Sequence, residues 1–170
     1  LAAMRQMVGE FGDESPIRLF IEFEKLFMKA DKPSIGLEVL RSCGALSFFP
    51  SLEALIGCPQ KEEWHPEGDV WVHSLLTVDA AASIRHLIPE HQRVAFMFAA
   101  FLHDVGKPKT TVTQEMMDEH RASGGRHPWL LKLERLAPNK CLDELLLTSI
   151  THDQVGGPIA NEFMQSITSG

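Results

Sequence analysis

An all-α fold is what this sequence predicts, and three observations predict it. Apolar residues recur at the three- and four-residue spacing of a helix face through most of the chain. No segment shows sustained alternation of β-branched residues, and tyrosine is absent. The apolar runs are bounded by helix signals: serine, aspartate or proline before them, and glycine or proline after them. The expected architecture is a helical bundle over residues 58–170 preceded by a short helical arm over residues 1–57.

Residues 1–14 carry Gly9 and Gly12 among polar neighbours and read as a helix end followed by a linker. Ser15-Pro16 opens the first helix, in which Ile17, Phe20, Ile21, Glu24, Phe27 and Met28 keep helical spacing up to Asp31-Lys32-Pro33. A second runs from about Ser34 to Cys43, with Gly44 in the stop position, and a short third follows Pro50-Ser51 and ends at Gly57. From Cys58 to Gly68 the chain turns polar and proline-bearing, a joint between the arm and the bundle.

Asp69 then caps a helix whose Trp71, Leu75, Val78 and Ala82 form one face, with His73 on another face beside Leu76 and Ala80. After a turn at Leu87 to Glu90, Arg93 to Leu102 shows almost no polar side and is expected to be buried all round. It runs into His103-Asp104, with Gly106 expected as a left-handed stop and Pro108 as a barrier to further helix. Burying an imidazole and a carboxylate costs several kcal/mol unless they are paired, and a divalent cation would pair with both at once. Two antiparallel helices of about 15 residues each bring the start of one level with the end of the next, so His73 and His103 are expected to meet.

From Pro108 to Arg126 the chain is polar, with one short helical piece around Thr113 to Glu119 and a Ser123-Gly124-Gly125 run. A loop of that length reads as a functional flap that delivers His120 and His127 toward the helix ends. Pro128 opens a helix to about Leu136, and Asp143 to His152 reads as another that ends in His152-Asp153, with Gly156-Gly157-Pro158 beyond. His65 is expected to be a loop or cap residue, and His86 and His91 to be surface residues at the far end.

The chain has 170 residues, 44% of them hydrophobic, enough for a real core. Its net charge of -7 argues against a general polyanion binder while leaving room for a local basic patch. Cys43, Cys58 and Cys141 are odd in number and lack paired spacing, which suggests reduced thiols. No run is long and apolar enough for a membrane span and no export signal opens the chain, so a cytoplasmic location without a membrane partner is expected. The chain starts at Leu1 and tapers from Ser166 to Gly170, as expected of a piece of something longer.

His73, followed by Phe101-Leu102-His103-Asp104-Val105-Gly106-Lys107, resembles the HD superfamily of metal-dependent phosphohydrolases. Glu63-Trp64-His65-Pro66-Glu67-Gly68-Asp69, preceded by Arg41-Ser42-Cys43-Gly44-Ala45-Leu46 and Phe49-Pro50, is similar to the body and HD region of bacterial tRNA nucleotidyltransferases, the CCA-adding enzymes, and their poly(A) polymerase relatives. The resemblance implies an HD-domain bundle with metal ligands at His73, His103 and Asp104. It further implies later ligands at His127, or else His120, and at His152, with Asp153 standing in for a last aspartate that otherwise lies past Gly170. The nucleotide-adding head has no counterpart here, so polymerising activity is not expected.

A mixed nitrogen and oxygen donor set suits Ni, Mn, Co, Fe or Zn better than Mg or Ca, as one ion or two. Asp104 and Lys107 are the expected catalytic residues, Lys107 and Arg126 being the cations that could neutralise a developing phosphate charge. The expected activity is hydrolysis of a phosphomonoester or a 2',3'-cyclic phosphodiester, on a small molecule or an RNA end. The rival expectation is a non-catalytic module that grips tRNA and carries a vestigial metal site. A third is a metal-binding fragment, inactive because its last ligand lies beyond Gly170.

Overall fold

Proline sets the starts of the first helices. In the computed structural model, which describes residues 4, 8, 9 and 14–169, helices α1 (Pro16–Lys29), α2 (Pro33–Cys43) and α3 (Pro50–Glu53) each place proline in the first turn, where its missing N–H is no loss. Gly44 ends α2 in the left-handed conformation, φ 91°. The helix end and linker expected over residues 1–14 fall largely outside the described residues. Among the described residues there is no strand, so the all-α expectation holds.

Asp69 caps α4 (Val70–Ile84) by accepting from the Val72 N–H at 2.9 Å, and its second oxygen takes the Gly57 N–H at 2.6 Å. One side chain thereby starts the helix and ties the polar joint to it. Two 3-10 turns, Arg85–Leu87 and Glu90–Gln92, reverse the chain into α5 (Arg93–Leu102), which packs against α4. Then follow α6 (Lys107–Thr110), α7 (Gln114–Ala122), α8 (Pro128–Leu136), α9 (Leu142–Leu145) and α10 (His152–Thr168).

Aromatic packing decides how these elements meet. Phe23 of α1 stands against Phe49, Phe98 of α5 and Phe163 of α10, while Phe27 meets Phe98 edge to face at 4.9 Å. The core runs on through Leu37, Trp71, Val78, Met97 and Ile167, so it crosses residues 57 and 58 without a break. A second, smaller core of Val112, Met117, Leu130, Leu133 and Leu145 lies under α7 to α9.

Five expectations are corrected. The helix Arg93–Leu102 is not buried all round: Met97, Phe98, Phe101 and Leu102 are buried, but Ala95 and Ala99 are exposed along a groove shared with Phe20 and Met164. Gly106 is not a left-handed stop, since its φ is -82°, and Pro108 sits in the first turn of α6 rather than blocking helix. The segment 108–126 is no flap: Thr113 caps α7 through the Met116 N–H at 3.3 Å, and Val112 and Met117 anchor it in the second core.

His152-Asp153 opens a helix instead of ending one. Ile159, Phe163 and Ile167 recur every fourth residue and are buried, and that packing carries α10 through Gly156, Gly157 and Pro158. Gly106 has a different use from the expected one. A Cβ there would fall 2.1 Å from the His152 carbonyl oxygen and 2.6 Å from the Gly156 nitrogen, so the turn after α5 and the first turns of α10 touch backbone to backbone.

This contact predicts opposite outcomes at neighbouring glycines. Gly106→Ala forces two backbones apart and should destabilise by roughly 2–3 kcal/mol, as overpacking does. Gly157→Ala meets nothing within 4 Å inside a helix and should be neutral or stabilise by up to about 1 kcal/mol. Denaturant unfolding of both variants checks this; equal effects would contradict the contact.

Candidate metal centre

The α4–α5 pairing sets His73, in the first turn of α4, beside His103, the residue after α5, with ring centroids 5.2 Å apart. Asp104 follows in a buried turn, and α10 brings His152 from the other side. The His103 Nε2 lies 3.1 Å and the His73 Nε2 3.6 Å from Asp104 Oδ2, the two nitrogens lie 3.3 Å from each other, and His152 Nε2 lies 3.4 Å from Asp104 Oδ1. Ligands at about 2.0–2.2 Å from a common ion stand roughly 3.0 Å apart at right angles and about 3.4 Å apart at the tetrahedral angle. The His103 spacings, 3.1 and 3.3 Å, fall in that range and the His73–Asp104 distance of 3.6 Å lies just beyond it, while His152 faces the other carboxylate oxygen.

Each ring is held through its other nitrogen. His103 Nδ1 donates to the Ala100 carbonyl at 2.9 Å and His152 Nδ1 to the Ser149 carbonyl at 2.8 Å; a carbonyl only accepts, so the proton is on Nδ1 in both. His73 Nδ1 lies 2.6 Å from Glu67 Oε1, and Glu67, held down to about 2 by its own backbone N–H and by His65, is a carboxylate that also only accepts. In its neutral form each ring has one N–H, and these Nδ1 contacts select the tautomer whose Nε2 lone pair lies on the side of Asp104. Orientation of metal-ligating imidazoles through carboxylate or carbonyl partners is the general rule.

Electrostatics favours a cation among them. Burial would raise the Asp104 carboxyl, but His103 and Lys107 outweigh it and hold the group well below the usual carboxylate range. His103 is pushed up, chiefly by Asp104, whereas burial pushes His73 down. Asp104 Oδ2 is buried and makes no well-angled hydrogen bond, although Lys107 Nζ stands 2.7 Å away. An orphaned carboxylate oxygen facing two nitrogen lone pairs fits a divalent ion, with nitrogen and oxygen donors suited to a transition metal.

Of the expected site residues, the structure thus brings His73, His103 and Asp104 into one close set of donors, with His152 at 3.4 Å from the other Asp104 oxygen. Lys107 is buried beside them, donating to Gln60 Oε1 at 2.6 Å and facing Asp104 at 2.7 Å. Asp153 is exposed and lines the apolar groove beside His103. His127 Nε2 faces Glu119 at 3.6 Å and His120 Nε2 faces Glu134 at 3.9 Å, and neither joins the close-set donors around Asp104. Arg126 is exposed, as are His86 and His91. Sequence reasoning missed Glu67, which binds both His65 and His73 and completes a second close set of donors; an acid six positions before His73 was the available signal. Cys43, Cys58 and Cys141 are free thiols. No helix among the described residues is long and apolar enough to cross a membrane.

Residues 1–56 match the family model described as the probable RNA and SrmB-binding site of polymerase A. The Multifunctional CCA protein of Paraburkholderia phymatum is 40% identical over 161 residues, covering 91% of this chain and 36% of that protein. Those of Burkholderia multivorans and Burkholderia lata are each 40% identical over 158 residues, covering 89% of this chain and 36% of theirs. The chain therefore spans about a third of the length of these relatives. No solved structure matches it.

Two outcomes follow for metal binding by calorimetry with Mn(II) or Ni(II). Glu67→Gln, which removes the charge orienting His73, should weaken binding about 10- to 100-fold without unfolding the protein, and unchanged affinity would remove Glu67 from that role. Because the Nε2 atoms bind only when unprotonated, affinity should rise with pH, and the upward-shifted His103 should extend the rise past about pH 6.5.

Proposed function

From the relation of this chain to the tRNA nucleotidyltransferase and poly(A) polymerase family, we propose that it is the RNA-engaging helical body of such a protein and carries a metal-dependent phosphoesterase centre at His73, His103, Asp104 and His152. The substrate is a phosphomonoester or a 2',3'-cyclic phosphodiester at an RNA or nucleotide end, with tRNA as the RNA partner. The observation that carries the hydrolytic part is the close set of His73, His103 and the buried carboxylate of Asp104, with His152 approaching the second oxygen of that carboxylate.

His73, His103 and Asp104, with His152 beside them, would hold an ion of Ni, Mn, Co, Fe or Zn, which would supply Lewis acidity toward water and phosphate. The chain's own groups do the rest. Glu67, Ala100 and Ser149 fix the three rings, so little reorganisation is needed when a ligand enters. Lys107, shared between Asp104 and Gln60, is the cation placed to balance the added charge of a phosphate ester. His127 and Asp153 are outside this set and have no part in it.

A second reading keeps the RNA-engaging body and makes the centre a relic. The comparisons bear on it more directly than on hydrolysis: the model matched by residues 1–56 is described by RNA binding, and the relatives' names refer to CCA. Protein purified without chelator is analysed for metal and assayed on p-nitrophenyl phosphate and on a 2',3'-cyclic nucleotide with added Ni, Mn or Co. Hydrolysis that falls at least about a hundredfold in His103→Ala supports the centre. No turnover with any metal, or equal turnover in His103→Ala, rejects it and leaves the relic, for which tRNA affinity falls steeply with salt and survives the substitution.

A further inference from the structure

Beside the centre lies a pocket whose charge is opposite to that of the chain. It is lined by Gln60, Lys61, Trp64, His65, Lys107, Lys140 and the stretch Leu147–Ser149 with His152, and has a volume of about 300 Å³. Three lysines and two histidines line it and no acid does, on a chain of net charge -7. Glu144 is outside the lining: its carboxylate takes the Cys141 N–H at 2.7 Å, within electrostatic reach of Lys140 and Lys61, and its carbonyl accepts from Lys61 Nζ at 3.0 Å. Glu62 and Glu63 flank Trp64 in sequence but are exposed and outside the lining. Lys107 is paired with Asp104 and His65 with Glu67, so the charge left to attract an anion is that of Lys61 and Lys140.

The pocket is continuous with the centre, because His152 and Lys107 belong to both. Trp64 stands at its rim, 71% exposed, an unusual place for a large ring in a chain that buries Trp71 almost completely. The opposite wall holds Leu147 at φ 56° and leads to Thr151 at φ 70°, left-handed conformations that such residues adopt at a cost. That strained stretch is pinned by Leu147 N–H to the Val112 carbonyl at 2.8 Å and Val112 N–H to the Thr148 carbonyl at 3.0 Å. It holds Thr148 and Ser149 in the same lining as the lysines.

We propose that this pocket is a subsite for a single-stranded RNA end, taking the nucleotide next to the terminal phosphate, with Trp64 stacking its base and Lys61 and Lys140 holding its phosphate. The volume, at the lower end of ligand pockets, suits one nucleotide. An exposed aromatic ring beside paired cations is the arrangement by which single strands are bound without reading sequence. The subsite makes oligonucleotide ends better ligands than mononucleotides. The proposal rests on the phosphoesterase reading for the fate of the terminal phosphate, but its binding test does not.

A fluorescein-labelled oligoribonucleotide carrying a 3'-phosphate is titrated into the protein at several salt concentrations, following anisotropy, with a blunt RNA duplex as comparison. Trp64→Ala should weaken single-strand binding roughly tenfold or more. Lys61→Ala with Lys140→Ala should flatten the plot of log affinity against log salt by about 1.4, the loss of two single-strand phosphate contacts. Metal affinity by calorimetry should be unchanged in both, which separates this subsite from damage to the centre. Unchanged single-strand affinity and slope in these variants, or duplex bound as tightly as single strand with no effect of Trp64→Ala, would overturn the proposal. Losses in the variants together with a wild-type protein that hydrolyses nothing would support the subsite while rejecting the phosphoesterase reading.

Discussion

The contact between Gly106 and the first turns of α10 is the constraint on which the rest of the site depends. With no side chain on Gly106 or Gly156, two stretches of backbone approach to a distance that a single Cβ would forbid. The approach lays the start of α10 against the turn after α5. His152 thereby reaches Asp104, and the aromatic core secures the arrangement from behind, since Phe163 on the same helix packs against Phe23 and Phe49. Packing energy from a distant apolar face is thus used to hold polar groups where they would not gather by themselves.

What is gathered is electron-rich. Imidazole nitrogens of His73, His103 and His152 stand within 3.1–3.6 Å of the Asp104 carboxylate, and the hydrogen bonds from each Nδ1 select, in the neutral rings, the tautomer whose facing nitrogen carries the lone pair. Lys107 relieves part of the resulting repulsion from one side, being itself buried between Asp104 and Gln60. In a low-dielectric turn such a set is stabilised by positive charge, which Lys107 supplies at 2.7 Å from Asp104.

The surroundings of the centre are asymmetric. On one side an apolar groove of about 710 Å³ runs from His103 and Asp153 along Ala99, Ala95 and Phe98 to Phe20 of α1. On the other, the cationic pocket runs from His152 and Lys107 to Trp64. Helix α1 belongs to the residues that match an RNA-binding model, and through Phe20 it contributes a wall next to the metal-ligand candidates. Arm and bundle share one core, so whatever touches the arm is mechanically close to the centre.

Local signals in the sequence determined the starts at Pro16, Pro33, Pro50 and Pro128, the stop at Gly44 and the cap at Asp69, because each acts within one helical turn. Helical period and hairpin length also determined the meeting of His73, His103 and Asp104, since antiparallel helices of similar length must bring those ends level. Tertiary structure alone decided the remainder. His152-Asp153 begins α10 because Ile159, Phe163 and Ile167 find a core that no local window contains, and a Gly-Gly-Pro run that reads as a stop is overruled by that burial. His127 and His120 turn to Glu119 and Glu134 because Val112 and Met117 fasten their segment into a second core away from Asp104. Gly106 serves close approach rather than a left-handed turn, a distinction that depends on what lies across the gap, and only the folded chain supplies the other side.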